Sequence, residues 1–519
     1  MSGLLLALLL VVAAACGGDG GDGAGGAVGD EAEVDPVEAA DRSGSLTFAM
    51  SYGFNSLDPH RSPNALGDAL WMRPLYDRLL GVANGPDGAE LVPQLATSYE
   101  VSDDGRTITF ELRDDVTFHD GARFDASVVE ANIERAKGPE STVASTLENL
   151  ERVEVVDPTH VVFHLAEPDP ALLWSLAVGT AGMMVSPEAL DRDLSSEPAG
   201  SGPFTLVSAS RDADVVYERW DDYWDPDAAL VQELTITTVP DVNARYNGLR
   251  TDEYDAAYLT LPQAAEAEQL QSEGYHYRRQ GGPSSYGILL NTDEPPLDDV
   301  RVRRAISLAV NREEISEELL SGVNPPSNQP FNEGYVGHDD GVEVPYDPEE
   351  AQRLVDEAGA TGTRLEVIQQ MTPPQDSLAQ VVQQALEDIG FEVELTPLSS
   401  TEARPAWRRG GHHAMVTPVV GQADPSQTLA VTYLGGDNVG TPPEELVAMA
   451  DEARALPLGS AEREEAYQEI SAWLAENPVH VPIAQFTTVI VSRPEVVGTD
   501  NIVSIDIANL EFRRVGVTE

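Results

Sequence analysis

The chain has one cysteine in 519 residues, so no intramolecular disulfide can form. It has one lysine, Lys137, and nearly all of its positive charge is arginine. Positive charge is itself scarce: 31 Lys and Arg stand against 89 Asp and Glu, for a formal net charge of −58. Phosphate backbones and anionic lipid surfaces both repel such a chain, which argues against nucleic acid as a partner. After the N-terminus, no stretch reaches the roughly 18 apolar residues a membrane helix needs. Gly-x-Ser-x-Gly, Walker-type Gly-x-x-x-x-Gly-Lys-Ser/Thr and His-Glu-x-x-His motifs are all missing, and there is no cysteine pair for zinc. The nine histidines are scattered. His160 and His164 fall in a strand pattern and read as surface imidazoles. His412 and His413 are adjacent before a strand and point to opposite faces, so they do not share a metal. Among 89 acids, a carboxylate pair carries no specificity. The sequence therefore offers no enzyme, no cofactor and no metal site.

What is present is a chain that can fold. Apolar residues are 41%, enough for a large core. The length suits about three domains or lobes. A lysine-poor, carboxylate-rich surface stays solvated in concentrated salt, where the Debye length falls to about 3 Å and self-repulsion is screened. Salt adaptation is the expectation; GC-rich coding also favours Arg over Lys.

Residues 4–12 are an unbroken apolar run, followed by Ala13-Ala14-Ala15-Cys16. The run is too short to span a bilayer and suits the apolar region of a signal peptide. A lone cysteine after three small residues resembles a bacterial lipobox, in which Cys16 is lipidated and becomes the first mature residue. Met1-Ser2-Gly3 lacks the positive charge of such signals. Residues 17–43 are rich in Gly, Asp, Glu and Ala without periodicity, and read as a flexible acidic tether.

In the body, residues 45–50 alternate as a strand, and residues 66–80 carry apolar groups at helical spacing. Two hairpins follow. Residues 98–101 meet 107–112 across Asp104-Gly105, and residues 153–156 meet 161–165 across Asp157-Pro158-Thr159. A helix over 126–137 lies between them, making an antiparallel α+β unit of residues 61–184. Further on, helices are expected over 300–320, 376–389 and 461–475. Strands at 365–368 and 391–395 flank the second of these, so the segment reads as a βαβ unit with a parallel sheet.

Several stretches together resemble the extracytoplasmic solute-binding proteins of ABC transporters, in the family of peptide- and nickel-binding receptors. They are Ser56-Leu57-Asp58-Pro59-His60, residues 91–105 running on through Phe118-His119-Asp120-Gly121, Gly200-Ser201-Gly202-Pro203-Phe204 and Asp222-Tyr223-Trp224. Asn291 through Arg303, and Tyr346-Asp347-Pro348, continue the order, so the resemblance covers residues 44–516. It implies a two-lobed α/β fold of the type II periplasmic-binding-protein kind, with an additional α+β subdomain inserted in lobe I. Lobe I would comprise 44–60, 185–279 and 487–519, the inserted subdomain 61–184, and lobe II 280–486, after a signal peptide and lipobox (1–16) and the tether (17–43). The chain would cross between lobes near Gln280 and Phe486, giving a hinge.

The resemblance also implies a monomeric receptor, lipid-anchored at the outer face of the cell membrane. It would capture a small solute, with peptide the leading class, and deliver it to an ABC permease with its ATPase. Peptide-binding relatives hold the ligand's ammonium with an Asp in a Gly-Asp-Tyr-x-Asp-Pro motif. Here that stretch is Gly421-Gln422-Ala423-Asp424-Pro425, and Gln422 stands nearest the missing acid. Either Asp424 takes over the ammonium or the ligand is not a free-amino peptide; a helix cap is the plain alternative for Asp424. The strand-end loops supply the other candidate ligand residues: Phe54, Asn55, Asn64 and Trp71, with core packing an alternative for Trp71. A receptor for an oligosaccharide or metal chelate, a sensor or chaperone without transport, and a secreted hydrolase are the competing readings.

Overall fold

A computed structural model describes residues 35–85, 88–502, 505 and 510–519. Cys16, the expected signal segment and most of the expected tether lie outside the described residues.

One ten-stranded sheet runs through both halves of the body. In spatial order its strands are Glu392–Leu398, Arg364–Gln370, Ala414–Val419, His276–Leu290, His480–Ser492, Ala256–Leu259, Ser45–Met50, Glu233–Thr238, Asp214–Arg219 and Phe204–Ala209. Ser45–Met50 is parallel to both of its neighbours, placing its C-terminal end beside theirs. The expected βαβ unit is present: Arg364–Gln370 pairs in parallel with Glu392–Leu398, and helix Gln375–Asp388 connects them. That helix buries Leu378, Ala379, Val382 and Leu386, the positions its 3.6-residue period puts on one face.

The two longest strands, His276–Leu290 and His480–Ser492, pair antiparallel along the junction between the halves. Their register breaks between Gly281 and Ser285, opposite Thr487 and Gln485. Residues 282–284 thus oppose Phe486 alone, a bulge that includes Pro283, which has no N–H to give to a ladder.

A separate four-stranded antiparallel sheet holds both expected hairpins, in the order Ala96–Val101, Thr107–Leu112, His160–Leu165, Leu150–Asp157. Ile108, Phe110 and Leu112 alternate inward, and helix Ala126–Lys137 packs on them. Asp125 caps that helix by accepting from the Ser127 and Val128 amides. His160 and His164 sit on the surface of this sheet, paired with Asp157 and Glu154.

Three expectations need correction. The helix expected over 66–80 is Ala65–Met72; Pro74 lacks the N–H a longer helix would use, and Leu80 already begins a strand. Its buried face packs with Phe48, Tyr217 and Ile236 rather than with the four-stranded unit, whose own core begins at Leu79. The helix expected over 300–320 ends at Leu308; Asn311 then caps a new short helix by accepting from the Glu314 amide. Finally, residues 35–43 are not a loose tether. Pro36–Ala39 is a short helix capped by Asp35, the Asp41 amide donates to the Val517 carbonyl (2.7 Å), and Arg42 pairs with Asp227.

Candidate interlobe binding site

The segments that carry the resemblance converge on one buried carboxylate. Asp77 is fully buried and accepts from Ser201 Oγ (3.1 Å), Tyr223 OH (2.8 Å), Trp224 Nε1 (3.2 Å) and Arg513 Nη2 (2.5 Å). His119 Nε2 bonds the Gly202 carbonyl (2.9 Å), and the Arg113 guanidinium stacks 4.1 Å over the Trp224 ring. Asp58 holds Arg135 with two bonds (2.9 and 2.6 Å) and accepts from the His60 amide. Despite its burial, these partners keep the Asp58 carboxyl below the usual range. These motif residues dock the four-stranded unit and the C-terminal segment onto the main sheet; they do not face open space.

The open space lies between the halves. A cleft of about 670 Å³ has one wall from residues 63–66 and 142–181, and the other from residues 422–431 with Arg454. Helix Ala171–Val178 presents half-buried Trp174 and Ser175 to it. Leu66 and Val431 add exposed apolar surface. The walls touch: Gln427 Nε2 donates to Ser175 Oγ (2.5 Å), and Arg454 Nη2 pairs with Glu167 (3.0 Å). A volume of this size falls in the usual range for small-molecule sites.

Of the six candidate ligand residues, two meet here. Asn64 and Gln422 line opposite walls. The others do not. Trp71 is fully buried in the core and its carbonyl accepts from Tyr217 OH. Phe54 packs 5.8 Å from the Trp71 ring and is 6% exposed. Asn55 is exposed, but its amide and side chain are turned onto Asp68. Asp424 is 1% exposed; Arg463 Nη2 reaches both of its oxygens (2.9 and 2.8 Å). It also caps helix Pro425–Thr428 by accepting from Ser426. Its charge is neutralised behind the wall, so it is not placed to take over a ligand ammonium.

Several groups of the cleft escaped sequence reasoning. Asp169 lines it, half-buried, with a long bond from Asn149 Nδ2 (3.3 Å). Burial pushes its carboxyl above the ordinary value, against the Asn149 bond and the nearby Arg454 charge, which pull it down. Thr180 also lines the cleft; its hydroxyl oxygen is buried and has no hydrogen-bond partner among the described residues. Trp174 sits in an apolar run that reads as core, and Asp169 in a loop between prolines that has no periodicity. Only Gln427, three residues after Asp424, was near a marked motif. Among the described residues no group of three His, Cys, Asp or Glu is placed to hold a metal ion.

A two-lobed α/β receptor with its cleft between the halves is the class that this fold and site define. The family model for bacterial extracellular solute-binding proteins, family 5 (middle region), matches residues 90–441, and the chain belongs to that family. The glutathione-binding protein GsiB of Salmonella paratyphi A (strain ATCC 9150 / SARB42) is 30% identical over 365 residues, covering 68% of this chain and 70% of that protein. NikA from Brucella suis, solved in complex with Fe(III)-EDTA, is similar with a TM-score of 0.79 at 26% identity, covering 91% of this chain and all of that one (100%). The periplasmic binding protein DppA from Helicobacter pylori, solved with the peptide STSA, shares the fold with a TM-score of 0.77 at 22% identity, covering 93% and 99% of the two chains. Among the described residues, no helix is long and apolar enough to cross a membrane.

Proposed function

We propose that this family 5 receptor is anchored by a lipid on Cys16 and captures small peptides for an ABC permease and its ATPase. The observation that carries the reading is the cleft of about 670 Å³, walled by polar side chains from both halves and bridged by Gln427 and Ser175. Ligand enters the open cleft. The halves then rotate about the paired strands at residues 281–285 and 485–487, and closure buries the ligand. The closed form is what the permease reads, and the anchor raises the receptor's effective concentration at the membrane. The receptor acts as a monomer.

The peptide class is supported by the mixture of an aromatic face, apolar patches and hydrogen-bonding groups on the walls. The names of two relatives, glutathione-binding and peptide-bound, point the same way. The likeness to NikA favours a second reading, a metal chelate carried whole. The net charge of −58 further supports a body that needs molar salt for full stability.

Thermal melting of the full chain tests this, in molar NaCl against pools of free-amino peptides, N-blocked peptides, oligosaccharides and Fe(III)-EDTA. A ligand at about 100 times its Kd stabilises by about 2.7 kcal/mol. That raises Tm by about 3 °C if the lobes melt together. A shift with peptides is expected; a shift confined to sugars or the chelate replaces the peptide reading. A Tm unchanged between dilute buffer and molar NaCl removes the salt requirement.

A further inference from the structure

The cleft's charges do not balance. Glu148, Asp169 and Arg454 line it, and Arg454 already pairs with Glu167 at 3.0 Å. Behind the wall, Asp424 and Arg463 cancel each other. Asp169 is different. Its carboxylate has two neutral donors, Asn149 Nδ2 at 3.3 Å and the Leu172 amide, and lies within the influence of the Arg454 charge, but no arginine or lysine among the described residues forms an ion pair with it. Asn149 is held in place by Glu167, bonding its backbone carbonyl (3.0 Å) and amide (3.0 Å), so the carboxylate stands on a braced loop. Thr180, on the same wall, is 3% exposed, and its buried hydroxyl oxygen has no partner among the described residues.

We propose that Asp169 is the subsite for a primary ammonium of the bound solute, so that the cationic end is held from the wall opposite Gln422 and Asp424. This rests on the reading of the chain as a small-peptide receptor. A half-buried carboxylate bonded only to neutral donors gains from a cation that arrives with the ligand, because the pair replaces solvation the carboxylate has already lost. Gln422 then serves as a neutral hydrogen-bonding group on the facing wall.

The test is calorimetry on the full chain in molar NaCl, with a pool of free-amino di- to tetrapeptides and the same pool N-acetylated. Wild type is expected to bind the free-amino pool at least 10-fold more tightly. Asp169→Asn is expected to weaken that pool by about 10- to 100-fold and leave the acetylated pool unchanged. The unliganded Tm of the variant checks its fold, and Asp169→Ser repeats the test should Asn disturb the loop. A wild-type preference that survives both variants overturns the subsite while the peptide reading stands, and so does equal binding of the two pools. Binding of neither pool by wild type overturns the peptide reading, and the subsite with it.

Discussion

At the scale of single residues, the environment decides what a carboxylate is for. Asp424, Asp77 and Asp169 are chemically the same, yet Arg463 neutralises the first, four donors saturate the second, and the third lines the cleft with neutral donors and no ion pair among the described residues. Asp424→Ala leaves Arg463 buried without its counter-charge. We expect a loss of about 3–5 kcal/mol in denaturant unfolding, as for other broken buried pairs. A loss below about 1 kcal/mol would mean that Asp424 is not structural. Sequence could offer Asp424 as cap or as anchor; choosing needed Arg463, 39 residues away, whose approach no local pattern announces.

At the scale of elements, local rules read well where one face meets one core. Helix Ala126–Lys137 and the strands around Asp104-Gly105 and Asp157-Pro158-Thr159 follow from periodicity, caps and turn residues. They failed where two signals overlapped, as at Pro74 and Asn311, each of which stops a pattern that apolar spacing alone would continue. The Gly200-Ser201-Gly202 motif has a packing reason. A Cβ on Gly200 would overlap the Leu75 carbonyl oxygen, the Gly200 carbonyl accepts from the His119 amide (2.9 Å), and Ser201 reaches Asp77. Gly200→Ala is therefore expected to cost about 1–3 kcal/mol by overpacking. Ligand affinity, measured below the melting range, should hold; a variant as stable as wild type would remove the packing account.

At the scale of the whole molecule, two buried histidines tie stability to pH. Burial, reinforced by the Arg312 charge, pushes His480 down to about 3. Burial and the Arg135 charge do the same to His60, against Asp58, and it too lies at about 3. The unfolded chain takes up these protons near pH 6.5 and the folded one only near 3. The contribution is therefore complete above about pH 6.5 and falls away toward pH 3, by about 1.4 kcal/mol per pH unit per histidine. Melting at pH 7 and pH 5 in molar NaCl should show a steeper loss for wild type than for His480→Gln. Equal slopes would show that His480 is not the group responsible. Acidification also lowers the self-repulsion of a chain with net charge −58, so the difference between the two proteins is the quantity to read.

The sequence by itself determined the class of molecule: an acidic, cysteine-poor α/β receptor with its strands, helices and motif order. These follow from patterns within a few tens of residues, where spacing and turn chemistry act directly. The tertiary structure alone decided which side chains face the cleft. Asn64 and Gln422 were legible because they sit in loops at strand or helix ends. Trp71 and Asp424 were turned inward by packing and by Arg463, while Asp169, Trp174 and Thr180 were brought to the wall from a unit whose local pattern says only core and loop. A cleft between lobes is assembled from segments more than 200 residues apart, so its chemistry depends on how two cores dock rather than on any run of sequence.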